Sequence, residues 1–136
     1  MTRPIASIVV PAYNSETTLG ETLRSLLAQT FSSFEIVVVD DGSTDGTRAV
    51  AAGFADPRIQ IVSQANRGLA GARNTGIHHA RGAYVGFCDA DDLWVPEKLE
   101  RHVAHLEANA TSASAMPDRR SSTATAGRWA SRSVRS

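Results

Sequence analysis

Cysteine is nearly absent: Cys88 is the only one in 136 residues. No intrachain disulfide can form, and a lone Cys at the end of an apolar run reads as a small core residue rather than a nucleophile. Long apolar runs are also missing, and none approaches the roughly 18 residues of a membrane span. Ile5 to Ala12, behind Arg3, lacks the cleavage region of a leader and reads better as a first strand. A cytoplasmic protein, or a cytoplasmic part of one, is expected. Net charge is zero, with 14 Lys+Arg against 14 Asp+Glu. The balance is uneven, however: 9 basic and 13 acidic residues up to Ala110, then 5 Arg and 1 Asp from Thr111 onward. An acidic body speaks against a nucleic-acid-binding surface and suits a site that gathers a metal ion ahead of a phosphorylated ligand. There is no internal repeat. His78, His79, His102 and His105 fall on expected helices without a completing set of acids or cysteines, so zinc is not indicated.

What is present is an alternation of apolar strands and amphipathic helices, in a length that allows one domain with a core. Ile5 to Val10 is β-branched and apolar on nearly every residue, as in a strand covered on both faces, and stops at Pro11. Leu19, Leu23, Leu26 and Leu27 share a helical face, with Thr18 and Glu21 at capping-box spacing. A second strand, in EIVVVDDGSTDGT, ends at Asp40 and Asp41, where Gly42 and Gly46 permit a tight loop. Thr47, Val50, Ala51 and Phe54 form the stripe of a helix that Ser43 and Thr44 are expected to cap. Asp56-Pro57 closes it before a short strand, Ile59 to Val62. Leu69, Ala72, Gly76, Ile77 and Ala80 lie on one side of the next helix, where Gly71 and Gly76 permit close approach to a sheet. After a fourth strand, Leu99, Val103 and Leu106 mark a last helix to about Asn109. The order βαβαβαβα predicts a Rossmann-like α/β fold: a parallel sheet with helices on both faces and its ligand crevice at the strand C-termini. From Thr111 the chain is dominated by Ser, Ala, Thr and Arg without an apolar period. Residues 4–109 are therefore expected to form the domain and 110–136 a disordered tail, with the sheet ending at an open fourth strand.

The most informative stretch is AYVGFCDADDLWVPEKL, Ala83 to Leu99. Three carboxylates, Asp89, Asp91 and Asp92, follow the fourth strand within four residues. Acids at i and i+2 of an extended segment point to the same side, so they raise each other's pKa or take a cation. A hard ion such as Mg²⁺ or Mn²⁺, held by one or two carboxylates plus phosphate oxygens, fits that pair. Asp92 reads instead as an acid complementing the N-terminus of the helix after Pro96. Trp94 reads as packing between helix and sheet; Trp129, in the tail, has no assigned role.

Taken in order, VVPAYNSE, VVVDDGSTDGT, GLAGARNTGI and GFCDADDLWVPEKLE resemble the nucleotide-binding half of family 2 glycosyltransferases, which have the GT-A fold. The likeness spans roughly residues 4 to 108, and the ordered set of four is far more specific than any one piece. By that resemblance Pro11, Ala12, Tyr13 and Glu16 line the nucleoside pocket. Asp41 accepts a hydrogen bond from the base, a role suited to the imide N–H of uracil or thymine, while Asp40 is a turn acid. Asp89, Ala90 and Asp91 match the DxD motif, the first acid near the ribose and the second binding the metal that holds the diphosphate. Arg73 is placed to meet nucleotide or phosphate, with a solvated helix face as the alternative; Asn66, Arg67 and Gly68 form the loop nearby. The implied chemistry is sugar transfer from a nucleotide-diphosphate sugar, UDP- or dTDP-linked, to a hydroxyl of an unidentified acceptor (saccharide, lipid or protein). The family's general base lies beyond the DxD motif, in an acceptor half with no recognisable counterpart here. The change at Thr111 thus reads as truncation or a C-terminal sequence foreign to the family, and the chain is expected to be inactive alone.

Two other readings fit less of the chain. A receiver-type phosphoacceptor domain matches the acids after two strands but leaves Met1 to Phe34 unexplained, and Lys98 lies on a helix rather than at a strand end. A dinucleotide-binding domain needs a glycine-rich turn after its first strand, and PAYNSE contains no glycine. A non-catalytic nucleotide-binding module remains a further alternative.

Overall fold

The computed structural model describes residues 3–111 and 129–131. Its elements are β1 (Ala6–Ala12), α1 (Leu19–Leu27), β2 (Phe34–Asp41), α2 (Thr47–Ala52), β3 (Ile59–Gln64), α3 (Gly68–His79), β4 (Tyr84–Phe87), α4 (Lys98–Thr111) and β5 (Trp129–Ser131). The sheet order is β3-β2-β1-β4-β5. The first four strands are parallel, as the alternation of strands and helices requires.

Strand alternation divides the core in two. Ala6, Ile8, Val10 and Ala12 of β1, with Ile36 and Val38 of β2, meet α1, α2 and α4 on one face. Val9, Val37, Val39 and Val85 meet Ala72 of α3 on the other. Helices thus cover both faces, which is why β1 and β2 are apolar at nearly every position rather than at every second one.

Four local expectations change. Leu69 and Ile77 are exposed, and α3 meets the sheet through Ala72 and Gly76 instead. The reason is proximity: a Cβ on Gly76 would lie 2.2 Å from Val9 Cγ1, whereas one on Gly71 would meet Arg67, the residue just before its own helix, rather than the sheet. The Thr18–Glu21 capping box does not form; the Thr18 side chain makes no cap hydrogen bond, and its hydroxyl donates to the Ser15 carbonyl. Asp45 rather than Ser43 or Thr44 caps α2, accepting from Thr47 N at 2.9 Å. At α4 the amide of Leu99 donates to Gln29 Oε1 at 2.9 Å, so a glutamine from beyond α1 does what was expected of Asp92. Trp94 is buried in the α4-side core, as expected.

The sheet also continues past its fourth strand, because β5 pairs antiparallel with β4, Tyr84 opposite Ser131. That short strand includes Trp129 and covers the edge that composition alone left open. The rest of the expected tail, residues 112–128 and 132–136, lies outside the described residues.

Candidate functional site

The direction of strand succession reverses between β1 and β4, and an α/β sheet binds its ligands at such a switch point. The two strands stay paired to Val9 opposite Phe87, and Cys88 N still donates to the Val9 carbonyl at 3.0 Å. Beyond that they part around an open cleft of about 380 Å³, between Pro11, Asn14, Ser15 and Thr18 on one side and Asp89, Ala90 and Asp91 on the other.

The acidic turn is braced from behind. Ala90 is buried and its carbonyl accepts from Thr22 Oγ1 of α1 at 2.9 Å, while Ser25 Oγ of the same helix accepts from Trp94 N at 3.1 Å. Asp92 N closes the turn onto the Asp89 carbonyl at 3.0 Å. Asp89 is left half-buried and Asp91 exposed on the cleft wall. Among the described residues no three His, Cys, Asp or Glu side chains converge as a self-sufficient metal cage. The donor set still fits a hard divalent ion: it is all oxygen, anionic, and open for phosphate and water to complete the shell.

The two acids ending β2 go to opposite faces because they are neighbours on a strand. Asp40 follows Ile36 and Val38 toward α1 and α2, where its Oδ1 accepts from Ser43 N at 3.1 Å, the turn role expected of it. Asp41 follows Val37 and Val39 toward α3 and is 3% exposed. Its Oδ1 accepts from Gln64 Nε2 (2.8 Å) and Arg67 N (2.9 Å), and its Oδ2 from Gly68 N (3.0 Å). A carboxylate at the start of α3 also complements the helix dipole. Gly42, at φ +80°, lets this turn approach Asn66; a Cβ there would lie 2.7 Å from Asn66 N.

The loop after β1 is tied to the loop after β2. Asn14 has φ +47°, a left-handed conformation that asparagine tolerates better than most residues. Its N–H donates to Ser43 Oγ at 2.9 Å, and its Oδ1 accepts from Thr44 N at 2.8 Å. Glu16, expected at the nucleoside, is exposed, and its Oε1 accepts from Gly46 N at 2.6 Å. Asp45 answers from the other loop, accepting from Glu16 N at 3.3 Å. The Thr47 hydroxyl first, and the Thr47 and Glu16 amides after it, hold the Asp45 carboxyl below the usual aspartate range against a smaller effect of burial.

The structure therefore brings Pro11, Asp89, Ala90 and Asp91 around one cleft and sets Ala12 and Asp41 at adjoining strand ends, with Ala12 opposite Asp40. Tyr13 is half-exposed beside them. Arg73 lies on α3, on the other sheet face, and is no freely solvated residue: its guanidinium sits 5.4 Å from the Phe87 ring centroid, and its Nε is buried without a hydrogen-bond partner. Sequence reasoning missed Asn14, Ser15 and Thr18 on the cleft wall. The available signal was Asn at a strand-ending turn, since Asn enters the left-handed region readily.

The Glycosyl transferase family 2 model matches residues 7–135. The chain is 39% identical over 106 residues to the UDP-Glc:alpha-D-GlcNAc-diphosphoundecaprenol beta-1,3-glucosyltransferase WfgD of Escherichia coli, covering 77% of this chain and 42% of that protein. It is 45% identical over 108 residues to the uncharacterized glycosyltransferase EpsJ of Bacillus subtilis, covering 78% and 31%. Among solved structures, S. aureus TarS 1-349 in complex with UDP superposes with a TM-score of 0.72 at 34% identity, covering 77% of this chain and 32% of that one. The mannosyltransferase PcManGT of Pyrobaculum calidifontis, in complex with GDP-Man and Mn²⁺, gives 0.63 at 37% identity, covering 69% and 29%. The chain thus spans less than half the length of these relatives. Among the described residues no helix is long and apolar enough to cross a membrane. With a Rossmann-like sheet whose first four strands are parallel, an acidic turn at its switch point and a family match over nearly its whole length, this chain belongs to glycosyl transferase family 2.

Proposed function

We propose that the chain binds a UDP- or dTDP-sugar together with Mg²⁺ or Mn²⁺ and serves sugar transfer to an acceptor hydroxyl. The observation that carries this reading is the acidic pair on the wall of the switch-point cleft. Asp91 holds the metal and Asp89 faces the ribose, with Ala90 keeping the turn between them. A metal bound there supplies Lewis-acid stabilisation of the departing diphosphate. Pro11, Ala12 and Tyr13 line the nucleoside pocket, Asp41 accepts from the base, and Arg73 contributes positive charge from α3. Glu16 acts by fixing the loop that carries Tyr13, through its hydrogen bond to Gly46 N. Residues 4–109 carry the binding unit. The buried lone Cys88 fits the cytoplasmic placement that goes with this reading.

Turnover is a separate matter. A general base contributes about 10² to 10⁴ in rate, and no residue in the cleft beyond the acidic turn is assigned that task. Calorimetry with nucleoside diphosphates is expected to give binding of UDP or dTDP that Mn²⁺ or Mg²⁺ strengthens and that exceeds binding of ADP, while the same preparation transfers no sugar from UDP-sugars to a panel of acceptors. Binding of equal strength with and without metal, equal binding of ADP, or brisk transfer by the 136-residue chain would each contradict the proposal.

A further inference from the structure

We propose that Gln64 and Thr75 are positioning residues that set which base Asp41 accepts, by holding its carboxylate so that one lone pair remains. The inference rests on the base-reading role proposed for Asp41. Each carboxylate oxygen offers two lone pairs. Asp41 Oδ1 uses both, on Gln64 Nε2 and Arg67 N, and Oδ2 uses one, on Gly68 N. Two of these three donors are backbone amides fixed by the turn into α3. The third is a side-chain amide, whose two ends differ in sign.

Turned over, Gln64 would set its own carbonyl oxygen against the Asp41 carboxylate. The Asp41 carboxylate itself opposes that, and Thr75 Oγ1, 2.5 Å from Gln64 Oε1 and 3.0 Å from the Gly71 carbonyl, supplies the donor that Gln64 Oε1 needs in the orientation that remains. An ionised carboxylate only accepts, so Nε2 must face Asp41. Oε1 then faces Thr75, whose single proton goes to the nearer oxygen. The chain of donors runs from Thr75 through Gln64 to Asp41, and it keeps Asp41 an acceptor with one vacancy. Uracil and thymine offer an imide N–H to such a vacancy. Cytosine offers a ring nitrogen lone pair at the same place, which the carboxylate repels. Arg67 and Gly68 cannot provide this control, because backbone amides have no alternative orientation here.

Two substitutions break the chain at different links. Thr75→Val removes the donor to Gln64 Oε1 and so weakens the hold on the amide that faces Asp41, whereas Thr75→Ser keeps that donor. Gln64→Glu replaces the donor with a second carboxylate, so that the pair must share a proton and can present a donor to cytosine. Gln64 is half-buried on the edge strand β3, where an exchange of nearly equal size is tolerated.

The readout is the ratio of UDP to CDP affinity, measured by calorimetry with Mn²⁺ on the whole chain, with thermal melts to confirm folding. A purely structural role would weaken both nucleotides together and leave the ratio unchanged. Thr75→Val and Gln64→Glu are each expected to lower the ratio about tenfold, the worth of one good hydrogen bond, and Thr75→Ser to preserve it. A wild-type preference for UDP that survives in the folded variants overturns the inference alone. A wild type that does not prefer UDP overturns the base-reading role of Asp41 and the inference with it. If Thr75→Val gives no cooperative melt, Gln64→Glu and Thr75→Ser decide by the same ratio.

Discussion

Asp91→Asn is expected to lower the affinity for UDP in the presence of Mn²⁺ by about 100-fold or more, and to leave the affinity measured with EDTA unchanged or slightly higher. Loss of a residue that merely supports a metal ligand costs about 10- to 100-fold, and a direct ligand should reach at least the upper end. The sign without metal follows from charge. Asp91 is an anion on the wall of a cleft meant for a diphosphate, and with no cation between them the two repel, so neutralising it cannot hurt. A residue with only a folding role would weaken binding in both conditions. Asp91 is exposed and no strand or helix depends on its side chain, so the change in stability should stay within about 0.5 kcal/mol. Calorimetry with Mn²⁺ and with EDTA checks both halves of the expectation. An equal loss in the two conditions would remove Asp91 from the metal site.

The second large effect concerns the fold that carries the site. Glycine to alanine in a helix ordinarily stabilises by up to about 1 kcal/mol. At Gly76 the sign should reverse. A Cβ would lie 2.2 Å from Val9 Cγ1 and 2.9 Å from Cγ2, and Val9 is fully buried on the strand between β2 and β4. Neither β1 nor α3 can move aside without losing other contacts, so overpacking at the upper end of about 1–3 kcal/mol is expected to outweigh the helix gain. Gly76→Ala should destabilise by about 2 kcal/mol, lowering the melting temperature by roughly 8 °C, and Gly76→Leu should not fold. Gly20→Ala is the control. Its Cβ would meet nothing closer than 3.6 Å, so it should be neutral or mildly stabilising. Urea denaturation of the two alanine variants gives the comparison, and equal stability would mean that α3 does not pack on β1 this closely. Because α3 begins at the amides that hold Asp41, Gly76→Ala should also weaken UDP binding.

The strands were legible because a parallel sheet covered on both faces needs β-branched residues at almost every position, and IASIVV and EIVVV supply them. The acidic turn was legible for a related reason: nothing in a buried strand explains Asp89 and Asp91 following it so closely. The α3 face was misread because amphipathicity was sought in its larger residues. Leu69 and Ile77 face outward, and the sheet side is defined by the absence of side-chain volume at Ala72 and Gly76, which a hydrophobic pattern scores weakly. Which of Asp40 and Asp41 turns toward α3 depends on strand register, and one residue of slip would exchange them. The caps on α2 and α4 come from Asp45 and Gln29, the latter across the fold, and a long-range cap such as that of Gln29 leaves no local motif. Strand β5 escaped because three residues in a Ser/Ala/Arg-rich stretch carry no period.

Placement of the metal is the claim on which the functional account depends, and paramagnetic broadening by Mn²⁺ in amide-resolved NMR spectra reads it directly. With UDP present and Mn²⁺ well below stoichiometric, the account predicts that the amides of residues 14–18 and 89–92 broaden beyond detection while those of His78, His79 and the β3 edge persist. Broadening centred on His78 and His79 or on His102 and His105, or an unchanged pattern when UDP is left out, would contradict it.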